Sequence, residues 1–159
     1  MTEGSLLIFK KGDLLQANEQ YIVHQCNCVT KKAKGLAAAI FEQFPYSNCY
    51  VSRTQNDIPG TIKIFGNGKN ERYIINLFGQ FTGGKPKAKD SKEMRLQYFH
   101  SCLKAISEIP NLQSIAFPFH IGCGLAGGDW SEYQSALEQF AKNVHIPIVI
   151  YKKEEEETE

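Results

Sequence analysis

Short runs of β-branched and aromatic residues alternate along this chain with segments of helical period, and that alternation most narrows the folds open to it. Leu6–Phe9 and Tyr21–His24 read as strands. Leu36–Phe44 reads as a helix built on Ala37, Ala38 and Ala39, with Pro45 just past its end. Thr61–Phe65 and Arg72–Phe78 read as two strands joined through Gly66-Asn67-Gly68-Lys69-Asn70, a hairpin. Glu93–Ile109 carries apolar residues at Met94, Tyr98, Cys102, Ala105 and Ile109, a helical stripe that Pro110 closes. Ser114–Phe117 reads as a strand, Ser131–Val144 as a helix capped by Ser131, and Ile146–Tyr151 as a last strand.

Strands that are almost wholly apolar and alternate with helices need a sheet covered on both faces. The expected fold class is therefore α/β, a three-layer α/β/α sandwich around a mixed, mostly parallel central sheet. No internal repeat or linker divides the 159 residues, so 1–152 reads as one domain. Residues 153–159 read as an acidic tail, because the Glu154-Glu155-Glu156-Glu157 run repels itself.

With 18 basic and 17 acidic side chains the net charge is +1, which leaves no long-range field to concentrate nucleic acid. Lysines do gather locally, at Lys31, Lys32 and Lys34 and again at Lys85, Lys87 and Lys89. Cys26, Cys28, Cys49, Cys102 and Cys123 include no CxxC pair and read as reduced thiols of a cytoplasmic or nuclear protein. Cys26-Asn27-Cys28 lacks the second ligand pair of a structural zinc site, so no metal or other cofactor is expected. No apolar run reaches the roughly 20 residues that a spanning helix needs, and no membrane partner is expected.

Two strand-to-helix loops could carry chemistry, since ligands of open α/β sheets sit beyond the carboxyl ends of the strands. The first, His24 to Gly35, leads into a helix whose free N–H groups suit a phosphate. The second, Ile121 to Gly128, holds four glycines between Gly122 and Gly128, which let the main chain approach phosphate oxygens closely. Neither matches GxxxxGK[ST] or GxGxxG, which argues against a P-loop nucleotidase or a dinucleotide dehydrogenase.

Gly12-Asp13-Leu14, His24-Gln25-Cys26-Asn27-Cys28, Gly35-Leu36-Ala37 and Ile121-Gly122-Cys123-Gly124-Leu125 occur in an order that resembles the macrodomains. Phe117-Pro118 followed by Ile121 to Trp130 resembles the branch with ADP-ribose 1″-phosphate phosphatases and the terminal ADP-ribose glycohydrolase. The resemblance implies binding of ADP-ribose or a derivative, free or linked to protein; separately, the chain is expected to be a monomer. It implies Asp13, next to Leu14, on the adenine amino group, and Tyr151 packed on the adenine ring. Asn27 would meet the distal ribose with an amide able both to donate and to accept. Gly35, Leu36 and Ala37 would approach the diphosphate from one side, and Ile121, Gly122, Cys123, Gly124, Leu125 and Ala126 from the other. Ala33-Lys34-Gly35 departs from the family's triple glycine, so Lys34 either adds a charge near the diphosphate or closes the pocket. Asp13 could instead be a turn residue, and Tyr151 a core aromatic.

The ionisable side chains near these loops are His24, His120, Asp90 and Asp129. The resemblance points to His24 as general acid or base, with Asp129 as the other candidate; the alternatives are a buried histidine and a helix cap. The expected reaction is hydrolysis of ADP-ribose 1″-phosphate or an ADP-ribosyl ester, by water activated at His24 or Asp129. A non-catalytic reader of ADP-ribose is the second reading, and adenine-nucleotide or poly(A) binding through Lys85, Lys87 and Lys89 the third. The sequence departs from the lysine-nucleophile glycohydrolase, offering Gly79-Gln80 at the lysine's place and Ala126 where an aspartate follows GCGL.

Overall fold

In the computed structural model, which describes residues 7–153, the elements run β1 (Leu7–Lys11), β2 (Tyr21–Cys26), α1 (Gly35–Gln43), β3 (Ile62–Phe65), β4 (Tyr73–Phe78), α2 (Lys92–Ser107), β5 (Ile115–Pro118), α3 (Trp130–Val144) and β6 (Ile148–Lys152). Leu6 and the Glu154-Glu155-Glu156-Glu157 run lie outside the described residues. The six strands form one sheet in the order β1-β6-β5-β2-β4-β3, parallel throughout except for β3, which pairs antiparallel with β4 as the hairpin reading expects. This is the mixed α/β sandwich expected from the alternation.

Period-two alternation sorts the central strands onto two cores. Val23, Ile75, Leu77, Ile115 and Phe117 face α2 and α3, with Phe99, Leu103, Leu137 and Phe140. Ile22, Ile74, Phe78 and Ala116 face the other way, onto Ile40 and Phe41 of α1. The chain thus leaves β2 for a helix on one face and leaves its neighbour β5 for a helix on the other. That divergence opens a crevice at the carboxyl ends of these two strands, the position where doubly wound sheets bind ligands.

Two local readings are corrected. The buried stripe of α2 is Arg95, Phe99, Cys102, Leu103 and Ile106, while Met94 is exposed. The face is turned because the Arg95 charge goes inside, where Asp90 awaits it at 2.7 Å. The cap of α3 is Asp129 rather than Ser131: its carboxylate accepts the Ser131 N–H at 3.1 Å, and the helix begins at Trp130.

Candidate functional site

A cleft of about 740 Å³ fills this crevice, in the size range of small-molecule sites. Three chain segments line it, together with Tyr50. The first runs from the end of β2 to the start of α1 and contributes Gln25, Asn27, Thr30, Lys32, Lys34, Leu36 and Ala37. The second follows β4 and contributes Gln80, Thr82, Gly83, Gly84 and Lys87. The third follows β5, from Pro118 to Cys123 with Leu125 and Ala126. Among the described residues, three lysines and no carboxylate line this cleft, so its chemistry favours an anion.

The third segment owes its shape to glycines at two places. Gly122 has φ +79° and Gly127 φ +87°, left-handed conformations that glycine adopts freely. Gly122 and Gly128 also lie on the Tyr133 ring of α3, where an added methyl carbon would stand 2.3 Å and 2.6 Å from ring atoms. Between them Gly124–Ala126 forms a single 3-10 turn, closed by Gly127 N–H on the Gly124 carbonyl at 2.9 Å.

The second and third segments are bound together by an ion pair. Asp90 accepts the Phe81 and Thr82 N–H groups and the Thr82 hydroxyl, at 2.8 to 3.0 Å. Burial pushes its carboxyl up, but Arg95 and these three donors prevail and hold it down to about 2. Arg95 reaches on to the carbonyls of Gly84 at 2.7 Å and Ala126 at 3.0 Å, one from each wall. Asp90 is therefore a structural anchor and not a general base.

The proposed acids and bases are corrected by their surroundings. His24 is fully buried, its Nε2 is 2.7 Å from Asn76 Oδ1 and its ring meets Phe41 edge to face; it does not line the cleft. The reason is parity: position 24 shares the α1 face of the sheet with Ile22 and Cys26. Desolvation lowers its pKa to about 4, so it is neutral at pH 7. Asp129 is exposed, accepts from the N–H and hydroxyl of Ser131, and does not line the cleft either.

The residues expected at the adenine end are also otherwise engaged. Tyr151 is buried, its ring packs on Gly12, and its hydroxyl donates to Glu19 Oε1 at 2.7 Å. Asp13 caps the 3-10 turn Leu14–Gln16 by accepting the Leu15 N–H at 3.0 Å, and Leu14 is buried in the core. None of the three lines the cleft. The aromatic side chains that do are Tyr50 and Phe119, the latter stacked on His120 with ring centroids 3.8 Å apart.

Of the other expected positions, Asn27, Lys34, Leu36, Ala37, Ile121, Gly122, Cys123, Leu125 and Ala126 come together on the lining, while Gly35 and Gly124 lie just off it. Burial pushes the Cys123 thiol up to about 12, with Asp129 adding to the rise, so it is no thiolate nucleophile. His120 holds the only imidazole on the lining; it has φ +64°, and its Nε2 is buried without a hydrogen-bond partner among the described residues. Gln25, Thr30, Tyr50, Gln80, Thr82, Gly83, Gly84, Pro118 and Phe119 were not expected on the lining. The run of small and polar residues after a strand, Gly79 to Gly84, was the signal for some of them.

No curated protein matches the chain. Solved structures do. The macrodomain of Mycobacterium tuberculosis DarG is 24% identical, with a TM-score of 0.77 over 93% of this chain and 98% of that one. The macrodomain of Thermus aquaticus DarG is 26% identical, with a TM-score of 0.76 over 94% and 99%. Thermosipho africanus DarTG, solved in complex with ADP-ribose, is 19% identical, with a TM-score of 0.75 over 96% of this chain and 43% of that one. The Macro domain family profile matches residues 23–137, more than two-thirds of the sequence, and by that match the chain belongs to the macrodomain family.

Proposed function

We propose that the cleft binds ADP-ribose or a close derivative, free or attached to protein. The observation that carries this reading is a crevice at the switch point between β2 and β5, walled by Lys32, Lys34 and Lys87 and by the Gly122–Gly128 loop, with no acidic side chain on its described lining. A diphosphate is the anion that two opposed main-chain loops suit best, and DarTG, part of which shares this fold, was solved in complex with ADP-ribose. In this reading Asn27 faces the distal ribose. Titration calorimetry with ADP-ribose, ADP and AMP tests it: ADP-ribose binds tightest, and absence of heat with ADP-ribose refutes the reading.

A second reading, hydrolysis of ADP-ribose 1″-phosphate or an ADP-ribosyl ester, is favoured by His120. In an ester, the imidazole takes a proton from water as the water oxygen bonds to C1″ and the carboxylate leaves. Turnover of both substrates is expected to fall at least about tenfold in His120→Ala, while His24→Gln and Asp129→Ala keep their rates. Binding without turnover in the unaltered protein leaves a non-catalytic reader.

A further inference from the structure

Every hydrogen-bonding group of Asn27 but one is already engaged. Its N–H donates to the Tyr50 hydroxyl oxygen at 2.7 Å, and its C=O accepts from Arg53 Nη2 at 3.2 Å. Its side-chain Oδ1 accepts three donors, the N–H groups of Val29 and Thr30 at 3.0 Å and the Thr30 hydroxyl at 3.1 Å. Those three donors settle the orientation of the amide, because Nδ2 placed there would confront them with further protons. What remains is the NH2, aimed at Gly83, where an added methyl carbon would stand 3.3 Å from Nδ2. Asn27 thus meets the cleft as a donor only, which corrects the expectation of an amide that both donates and accepts.

Arg53 stands behind this arrangement. Its side chain is 5% exposed, its guanidinium lies over the Tyr50 ring at 4.4 Å, and Asp57 faces it at 3.7 Å. Asp57 is fixed in turn by Lys63 at 2.8 Å and by its own N–H on the Cys28 carbonyl at 3.0 Å. Nε and Nη1 of Arg53 have no partner among the described residues. A buried guanidinium so incompletely satisfied is a poor stabilising device. Its contacts with the Tyr50 ring and the Asn27 carbonyl nevertheless converge on one residue of the cleft.

We infer that Tyr50 and Arg53 are positioning residues, which clamp the main chain of Asn27 from both sides and so present its amide to the ligand as a fixed pair of N–H donors. The ligand atom they select is an oxygen that accepts, on the part of the ligand lying against Gly83. The inference rests on the reading of the cleft as an ADP-ribose site with Asn27 toward the distal ribose.

The test compares the affinities of ADP-ribose and of ADP, which lacks the distal ribose, in Tyr50→Phe, Arg53→Met and Arg53→Lys. Tyr50→Phe and Arg53→Met are expected to weaken ADP-ribose by about tenfold and ADP by less than about twofold. Arg53→Lys, which can still donate to the carbonyl, recovers part of the loss. Wild-type ADP-ribose to ADP ratios in all three variants overturn the inference. If the unaltered protein does not itself prefer ADP-ribose to ADP, the ADP-ribose reading fails instead. Tyr50→Phe removes one oxygen atom and keeps the measurement available should Arg53→Met not fold. The side-chain NH2 resonances of Asn27 give an independent readout: sharp in the unaltered protein, exchange-broadened in Tyr50→Phe, and unchanged there if the clamp is not real.

Discussion

His24 Nε2 lies 2.7 Å from Asn76 Oδ1, and the two residues are register partners across the parallel strands β2 and β4. Asn76 in turn donates to the Ser47 carbonyl at 2.8 Å, so the pair is a satisfied polar link inside the α1 core. The folded pKa of His24, about 4, lies below its ordinary 6.5, so the unfolded chain takes up this proton first as the solution is acidified. The stability tied to neutral His24 is thus fully present above pH 6.5 and is lost as pH falls toward 4, by about 3 kcal/mol in all. Thermal melts of the wild type and His24→Gln across this window should diverge in slope, and parallel curves would refute the assignment.

Asp90→Asn should destabilise the protein by about 3 kcal/mol, since it leaves the buried Arg95 guanidinium without its countercharge. The wild-type contribution holds above pH 3.8 and fades as pH drops toward about 2, because the folded carboxyl titrates lower than the unfolded one. Urea unfolding at pH 7 measures the first effect. Because Arg95 spans Gly84 and Ala126, ADP-ribose affinity should fall along with stability.

Gly122→Ala combines a left-handed φ with a methyl group pressed into Tyr133, and Tyr133 is 1% exposed with no room to retreat. A loss of about 2 to 4 kcal/mol is expected, together with loss of ligand binding. Gly124→Ala has open space around its Cβ and should cost about 1 kcal/mol. Chemical denaturation of the two variants side by side separates crowding from backbone strain.

Asp129→Ala removes the cap of α3, so about 1 kcal/mol of stability should go. Affinity for ADP-ribose should stay within about twofold, since the carboxylate faces Ser131 and not the cleft. Calorimetric binding showing a tenfold loss would restore Asp129 to the site.

Lys34→Ala and Lys87→Ala should each weaken ADP-ribose binding by about three- to tenfold, through charge–phosphate attraction at an open cleft. Raising the salt concentration should shrink both differences. Lys89→Ala, a cation off the lining, serves as the control and should bind as wild type.

The amino-acid sequence by itself determined the layer architecture and the two strand-to-helix loops that border the cleft, because those depend on local rules. Apolar period reports which segments are strands or helices, and glycines clustered after a strand report a main chain that must turn tightly, as it does at Gly122. Tertiary structure alone decided which side chains reach the cleft. His24 and Gln25 are neighbours in sequence, yet strand parity sends the first into the core and the second to the lining. Asp90 and Arg95 became an internal brace through packing of α2 against the Gly83–Gly84 turn, and the side-chain amide of Asn27 became a pure donor because Val29 and Thr30 occupy its oxygen, while Tyr50 and Arg53 hold its main chain. Such roles are set by distances between segments brought together only on folding, and local composition carries no record of them.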